Sequence, residues 1–149
     1  MKAWLLLPCL ALFAGALIPI QAVANASLSR SIDSVVYSAL LLFIVGLIFV
    51  STFVLVNRVP MPSFSSFVSA PAFSYIGGVI VATYVLSITF LAPRMGVGNA
   101  ICFIVTGQIV VAVLIDHFGL WGASTTALDI RRGGGVTLMV MGLFLARSS

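Results

Sequence analysis

Five long apolar segments, separated by short polar stretches, decide what this chain of 149 residues can fold into. A helix needs about 20 mostly apolar residues to cross the hydrocarbon core of a bilayer. Hydrophobic residues make up 62% of the sequence and charged residues 7%, too little charge to cover the surface of a soluble domain. The sequence therefore predicts an all-α integral membrane protein with five transmembrane helices in one domain. We place them at about residues 3–26, 34–56, 71–91, 98–115 and 133–146.

The first segment also has features of a secretory signal. Lys2 precedes an apolar run, and small residues follow at Ala22, Ala24 and Ala26. The apolar stretch is, however, longer than the hydrophobic region of a usual signal peptide. We therefore expect a first transmembrane helix rather than a cleaved leader.

The basic residues between the segments give almost no preference for one orientation in the membrane. With five crossings, they divide into Lys2, Arg58, Arg131 and Arg132 on one side and Arg30, Arg94 and Arg147 on the other. Orientation is normally set by an excess of Lys and Arg on the cytoplasmic side, and four against three is hardly an excess. The sequence thus predicts insertion in both orientations. Two opposite copies would correspond to the halves of an inverted-repeat transporter, and we expect an antiparallel homodimer.

Several classes of function lack the residues they would need. No basic run is interleaved with aromatic residues, so we expect no nucleic-acid partner. The single histidine, His117, and the two cysteines do not form a cluster with metal-ligand spacing. Arg131 and Arg132 precede three glycines, but the Lys-Ser/Thr of a phosphate-binding loop does not follow. We expect no metal, no cofactor and no enzymatic activity.

Polar side chains within the apolar segments are the candidates for a binding site, because such side chains are costly in a membrane. Gln21 and Asn25 lie four residues apart and share one face of the first helix. They either face a substrate or join the first helix to a neighbour. Gln108, near the middle of the fourth segment, must face the protein or a cavity, in either a binding or a packing role. Tyr84 is the candidate from the third segment, although we favour a packing role for it over a binding role.

Asp116, at one end of the fourth segment, is the carboxylate nearest to the membrane interior. It is either a proton-coupling group or an interfacial partner of Arg131 or Arg132, and we favour the second interpretation. The other carboxylates, Asp33 and Asp129, fall in loops. A cation buried in the membrane would lack a counter-charge, so we expect a neutral, zwitterionic or anionic ligand that accepts amide hydrogen bonds.

Four short motifs, in order along essentially the whole chain, resemble the half-length YdcZ-type branch of the drug/metabolite transporter superfamily. They are Pro19-Ile20-Gln21 with Asn25, Leu91-Ala92-Pro93-Arg94-Met95-Gly96, Gly107-Gln108, and Asp116-His117-Phe118-Gly119-Leu120. The resemblance implies a multi-pass protein of the bacterial inner membrane, with five helices in each half of a ten-helix transporter. It also implies transport by alternating access.

The sequence and the resemblance together predict a secondary transporter or facilitator of a small polar metabolite. Two chains, either identical or one paired with a related half-length partner, would form the transporter within the lipid bilayer. Gln21, Asn25, Tyr84 and Gln108 are the predicted substrate-binding residues. The alternative is a small membrane subunit with a structural or regulatory binding role.

Overall fold

The computed structural model describes residues 3–146, with side chains from residue 5 onward. Every regular element in this range is helical, and none is a strand. The helices are α1 (Ala3–Ser31), α2 (Val35–Val56), α3 (Phe64–Ser69), α4 (Gly77–Met95), α5 (Val97–Phe118) and α6 (Ile130–Ala146). A short 3-10 helix, Ala72–Ile76, precedes α4, and another, Leu120–Gly122, follows α5. For the described residues, the prediction of an all-α protein is confirmed.

Four stretches of the described chain are long and apolar enough to cross a membrane: Leu5–Ser31, Val35–Val56, Ala72–Met95 and Val97–Phe118. Most of their large apolar side chains are exposed, as expected where lipid or a partner helix replaces water. The fifth predicted helix is present as α6, but its 17 residues extend only about 26 Å against a hydrocarbon core of about 30 Å. Its crossing of the membrane stays a prediction. Lys2 and Arg147, two of the charges used to predict orientation, lie outside the described residues.

Several helix boundaries differ from the predicted ones. Helix α1 continues to Ser31 rather than Ala26, because no helix-breaking residue intervenes before the turn at Asp33, whose φ is +51°. The polar gap after α2 contains α3, whose first turn is capped by the Ser63 hydroxyl accepting from the Ser66 amide at 3.3 Å.

The later helices also differ in extent from their predicted ranges. Helix α4 starts at Gly77, after the 3-10 helix, and continues through Pro93 to Met95, which leaves only Gly96 before α5. Gly96 has a φ of +84°, a conformation that glycine adopts without strain. Helix α5 covers 97–118 rather than 98–115, and α6 starts at Ile130 rather than Gly133.

The described residues form two compact units, one ending at Pro93 and the other beginning at Arg94. In the first unit, α1 and α2 are joined by the turn at residues 32–34 and pack as a hairpin. The buried face of α1 consists of small and polar residues at helical spacing: Ala22, Asn25, Ala26 and Ser29. Small side chains let two helix backbones approach closely, which is a common basis of helix packing in membranes.

The α1–α2 hairpin is also joined by a hydrogen bond. Ser38 on α2 is fully buried, and its hydroxyl donates to the backbone carbonyl oxygen of Asn25 at 3.0 Å. Ser34 caps α2, because its hydroxyl accepts from the Tyr37 amide at 3.3 Å. The position of Asn25 relative to α2 is therefore set by a direct contact.

In the second unit, α5 and α6 form the hairpin. Helix α5 is followed by its C-cap residue, Gly119, in the left-handed conformation with a φ of +59°. A Cβ at this position would lie 2.5 Å from the Thr125 methyl carbon, so a larger residue would collide with the following loop. Farther along the hairpin, the rings of Phe103 and Phe144 meet edge to face with centroids 5.7 Å apart.

Candidate functional site

Gln21 and Asn25 lie on α1, one turn apart, as the sequence predicts. Gln21 is half-buried, whereas Asn25 is only 6% exposed. The backbone carbonyl of Asn25 accepts from Ser38, but its side-chain amide nitrogen has no hydrogen-bond partner among the described residues. A buried amide donor without an acceptor is costly, and native proteins rarely leave one unexplained. Asn25 is therefore a packed residue whose side-chain N–H groups can still donate a hydrogen bond.

Pro19 precedes these two residues within α1. Proline has no backbone N–H, so it cannot donate to the carbonyl four residues earlier, that of Gly15. Proline inside a transmembrane helix is tolerated where other groups satisfy the freed carbonyl. The polar part of α1 thus begins directly after a local weakness in its hydrogen-bond ladder.

Thr89 on α4 is a second buried polar side chain without a partner. The residue is fully buried, and its hydroxyl makes no hydrogen bond to any described residue. The other threonine hydroxyls within helices bond back to the carbonyl oxygen four residues earlier: Thr52, Thr83, Thr106 and Thr137. Such back-bonding is the usual arrangement for threonine in a membrane helix, so Thr89 is the exception.

Thr89 is not among the residues that the sequence predicts for the site. The signal that identifies it is its place on the face formed by Val85, Ile88, Thr89 and Ala92, which recur at helical spacing and are all buried in the structure. A sequence shows that this face exists, but it does not show whether the hydroxyl bonds back to its own helix. Only the structure shows which of the two arrangements the hydroxyl adopts.

Tyr84 is half-buried on α4, beside the buried Val85. It lies almost at the centre of the span Ala72–Met95. No hydrogen bond joins its hydroxyl to Gln21 or Asn25 within residues 5–93, the described side chains of this unit. The structure thus places the three predicted site residues of the first unit on two helices without a direct bond between them.

Gln108 lies on α5, in the second unit, and its side chain is exposed. It makes no hydrogen bond within the described residues of that unit, 94–146. Helix α5 runs from Val97 to Phe118, so Gln108 is within one residue of its midpoint. A primary amide is therefore presented at the level where lipid would be least able to hydrogen-bond to it.

Asp116 forms an ion pair with Arg132, one of the two arginines that the favoured interpretation named as its partner. Arg132 Nη2 donates to Asp116 Oδ2, and Nη1 donates to the Thr126 carbonyl oxygen at 2.9 Å. Asp129 caps α6, because its carboxylate accepts from the Arg132 amide at 2.7 Å. Both members of the ion pair keep part of their side-chain surface exposed, 37% for Asp116 and 30% for Arg132.

The ion pair lies at one end of an open groove of about 380 Å³ between α5 and α6. Each helix contributes four residues at helical spacing: Ile109, Ala112, Val113 and Asp116 from α5, and Arg132, Gly135, Val136 and Met139 from α6. The groove is apolar except for Asp116 and Arg132. Gln108 is next in sequence to Ile109 but does not line this groove.

The three carboxylates of the chain all lie at helix ends or in turns. Asp33 occupies the α1–α2 turn, Asp116 lies in the last turn of α5, and Asp129 immediately precedes α6. None lies near the middle of a candidate span. A ligand at mid-membrane depth would therefore meet amide and hydroxyl groups rather than a carboxylate of this chain.

Comparison with known families agrees with these features. A family model described as "Putative inner membrane exporter, YdcZ" matches residues 6–145, nearly the whole chain. No curated protein and no solved structure gives a significant match. The family description and the four apolar spans support a multi-pass membrane transporter rather than an enzyme. The resemblance seen in the sequence motifs is thus confirmed, and the chain belongs to the YdcZ family of inner-membrane exporters.

Proposed function

We propose that the chain is one half of a secondary transporter in the bacterial inner membrane, which exports a small polar metabolite. Two copies in opposite orientations form the transport pathway, and the proposed substrate-binding residues are Gln21, Asn25, Tyr84 and Gln108. The observation that carries this proposal is the buried amide of Asn25, which is held in place by Ser38 through the backbone but is left without a side-chain partner. A ligand that accepts a hydrogen bond supplies the missing partner.

The depth of the predicted site residues supports a cavity near the middle of the membrane. Each residue of a helix advances it by about 1.5 Å. Gln21 lies about 5 Å from the centre of the span Leu5–Ser31, while Tyr84 and Gln108 lie within about 1 Å of the centres of theirs. Inverted-repeat transporters bind their substrates near this level.

Thr89 extends the same site. The first and third spans cross the membrane in the same direction, and both Asn25 and Thr89 lie beyond the centre of their span toward its C-terminal end. The distances are about 10 Å for Asn25 and about 8 Å for Thr89. An amide donor and a hydroxyl at similar depth suit a ligand with both acceptor and donor groups.

The ligand is neutral, zwitterionic or anionic in this proposal. A cation in the cavity would need a carboxylate for compensation, and the three carboxylates of the chain are at helix ends. Transport proceeds by alternating access: the first four spans of each copy rock about the cavity, while the α6 helices hold the two copies together. On α6, Gly142 has open space where a Cβ would project, which allows close packing there.

Reconstitution into liposomes tests the proposal. We expect saturable flux of a polar metabolite from a panel of neutral, zwitterionic, anionic and cationic compounds, with no flux of hydrophobic cations. The Asn25→Ala variant should lose this flux, whereas Thr83→Val, which alters a hydroxyl already bonded to its own helix, should retain it. Flux of hydrophobic cations alone would contradict the proposed ligand class. Equal flux by wild type and Asn25→Ala would remove Asn25 from the site.

A further inference from the structure

The exposed amide of Gln108 has a consequence for how two copies of the chain meet. Helix α5 has 22 residues and is about 33 Å long, close to the thickness of the hydrocarbon core. Gln108 therefore lies at the membrane midplane when α5 crosses. Its side chain is exposed and makes no hydrogen bond within residues 94–146. At that depth lipid cannot satisfy the amide, so its partner must come from the protein or from the contents of the transport cavity.

In an antiparallel homodimer, symmetry restricts which group of the second copy can be the hydrogen-bond partner of the Gln108 amide. The two-fold axis of the dimer lies in the membrane plane, so a residue at a given height above the midplane has its copy at the same distance below it. Only residues at the midplane can meet their own copies. In α5 this condition is met by Gln108 and its neighbour Gly107.

The chemistry of the side chain suits such a meeting. A primary amide carries both an N–H donor and a carbonyl acceptor, so two copies related by a two-fold axis can each donate to the other. Gly107 has open space where a Cβ would project, which leaves room for a partner helix to approach next to Gln108. An amide pair of this kind satisfies both side chains at the centre of the bilayer.

We infer that the two copies of α5 cross at Gln108, and that their amides form a reciprocal hydrogen-bonded pair on the two-fold axis. This inference rests on the antiparallel dimer proposed above. The pair closes the centre of the transport cavity when no ligand is present. A ligand that offers both an acceptor and a donor replaces the partner amide, so each copy contributes a residue to one shared site.

The crossing predicts which neighbouring positions come together. Ile104 and Ala112 lie four residues on either side of Gln108, about 6 Å along the helix in each direction. In the antiparallel arrangement, Ile104 of one copy lies near Ala112 of the other. Two copies of Ile104, or two of Ala112, are about 12 Å apart along the membrane normal, too far for a disulfide, which needs Cα atoms within about 7 Å.

Disulfide cross-linking in membranes tests this arrangement. The background carries Cys9→Ala and Cys102→Ala, which removes both native thiols. Gln108→Cys is expressed alone, and Ile104→Cys and Ala112→Cys are expressed alone and together with different tags. Copper phenanthroline oxidises the samples, and non-reducing gels report the covalent dimer. The Ile104→Cys and Ala112→Cys chains keep Gln108, so they report the crossing even if Gln108→Cys is poorly folded.

The expected result is a covalent dimer for Gln108→Cys and for the mixed pair, with at least tenfold less for Ile104→Cys or Ala112→Cys alone. Self-links at all three positions would show a parallel dimer and overturn both the crossing and the antiparallel proposal. An absence of links in all samples would overturn the crossing alone. Orientation is then judged from labelling of the C-terminus, which does not involve α5.

Discussion

At the level of single residues, some polar side chains within the helices have a hydrogen-bond partner among the described residues and others have none. Thr83 and Thr106 bond back to their own helices, whereas the Asn25 amide nitrogen and the Thr89 hydroxyl are buried without a partner. The sequence predicted Asn25 as a candidate, because an amide in an apolar segment is conspicuous. It did not predict Thr89, because back-bonding makes most threonines inconspicuous in a membrane helix.

Thr89→Val should separate stability from function. Valine has nearly the same shape, so the change removes a buried, unpaired hydroxyl and should raise the free energy of unfolding by about 1 kcal/mol. If Thr89 contacts the ligand, flux should nevertheless fall at least tenfold. Thermal unfolding in detergent and liposome flux are the two measurements. Thr83→Val is the matched control and should change neither, while unchanged flux in Thr89→Val would mean that Thr89 only packs.

Gln108→Leu should abolish transport and leave expression intact. The dimer should persist, because a hydrogen bond between membrane helices contributes only about 0.6 kcal/mol on average. Flux measurements report the first effect, and size-exclusion chromatography in detergent reports the second. Thr106→Val, two residues earlier on α5 and bonded to its own helix, is the control. Normal flux through Gln108→Leu would show that this amide has no part in the cavity.

At the level of elements, apolar length predicted the helices well and their ends less well. The four long spans and α6 occur where the hydropathy placed them, because burial of backbone polar groups in lipid leaves helix as the only option for such segments. Their ends are decided by local groups instead, such as the turn at Asp33 and the Asp129 cap of α6. The short helix α3 was missed because two prolines and several serines dominate its surroundings.

The hairpin of α5 and α6 gives a prediction about coupling. Asp116 is partly exposed and paired with Arg132 at the helix end, so we expect it to play no part in proton exchange. Asp116→Asn should lower the free energy of unfolding by about 1 kcal/mol or less, as for exposed ion pairs in general. Flux should be unchanged. Proton release on ligand addition, measured in weakly buffered detergent, should be absent in both proteins, and a signal lost in the variant would make Asp116 the coupling site.

At the level of the whole molecule, the sequence was sufficient to predict the family and a multi-pass membrane protein. The antiparallel dimer stays a prediction. The division of the basic residues predicts dual insertion, because orientation is set by these charges rather than by contacts within the folded chain. The predicted site also spans α1, α4 and α5, which belong to two units. The positions of amide side chains in a sequence indicate which residues are candidates for a binding site. They do not indicate which of these residues contact one another in the folded protein.

Insertion of two arginines next to Arg58, on the side that already has four basic residues, should replace the near balance of charge with six basic residues against three. The added positive charge should hold that end of the molecule on the cytoplasmic side, because Lys and Arg resist translocation. A single orientation cannot form an antiparallel homodimer, so flux should be lost while expression continues. Two glutamines inserted at the same place are the control and should preserve flux. Full flux with the arginine insertion would mean that one orientation is sufficient.

The most direct test of the antiparallel dimer is the side of the membrane on which the C-terminus lies. A Ser149→Cys chain that also carries Cys9→Ala and Cys102→Ala has one thiol, located at the C-terminus and outside the described residues. Intact cells are treated with a membrane-impermeant maleimide, and then again after permeabilisation. Dual insertion predicts that about half of the chains react from outside and the remainder only after permeabilisation. Labelling from one side alone would contradict the antiparallel homodimer.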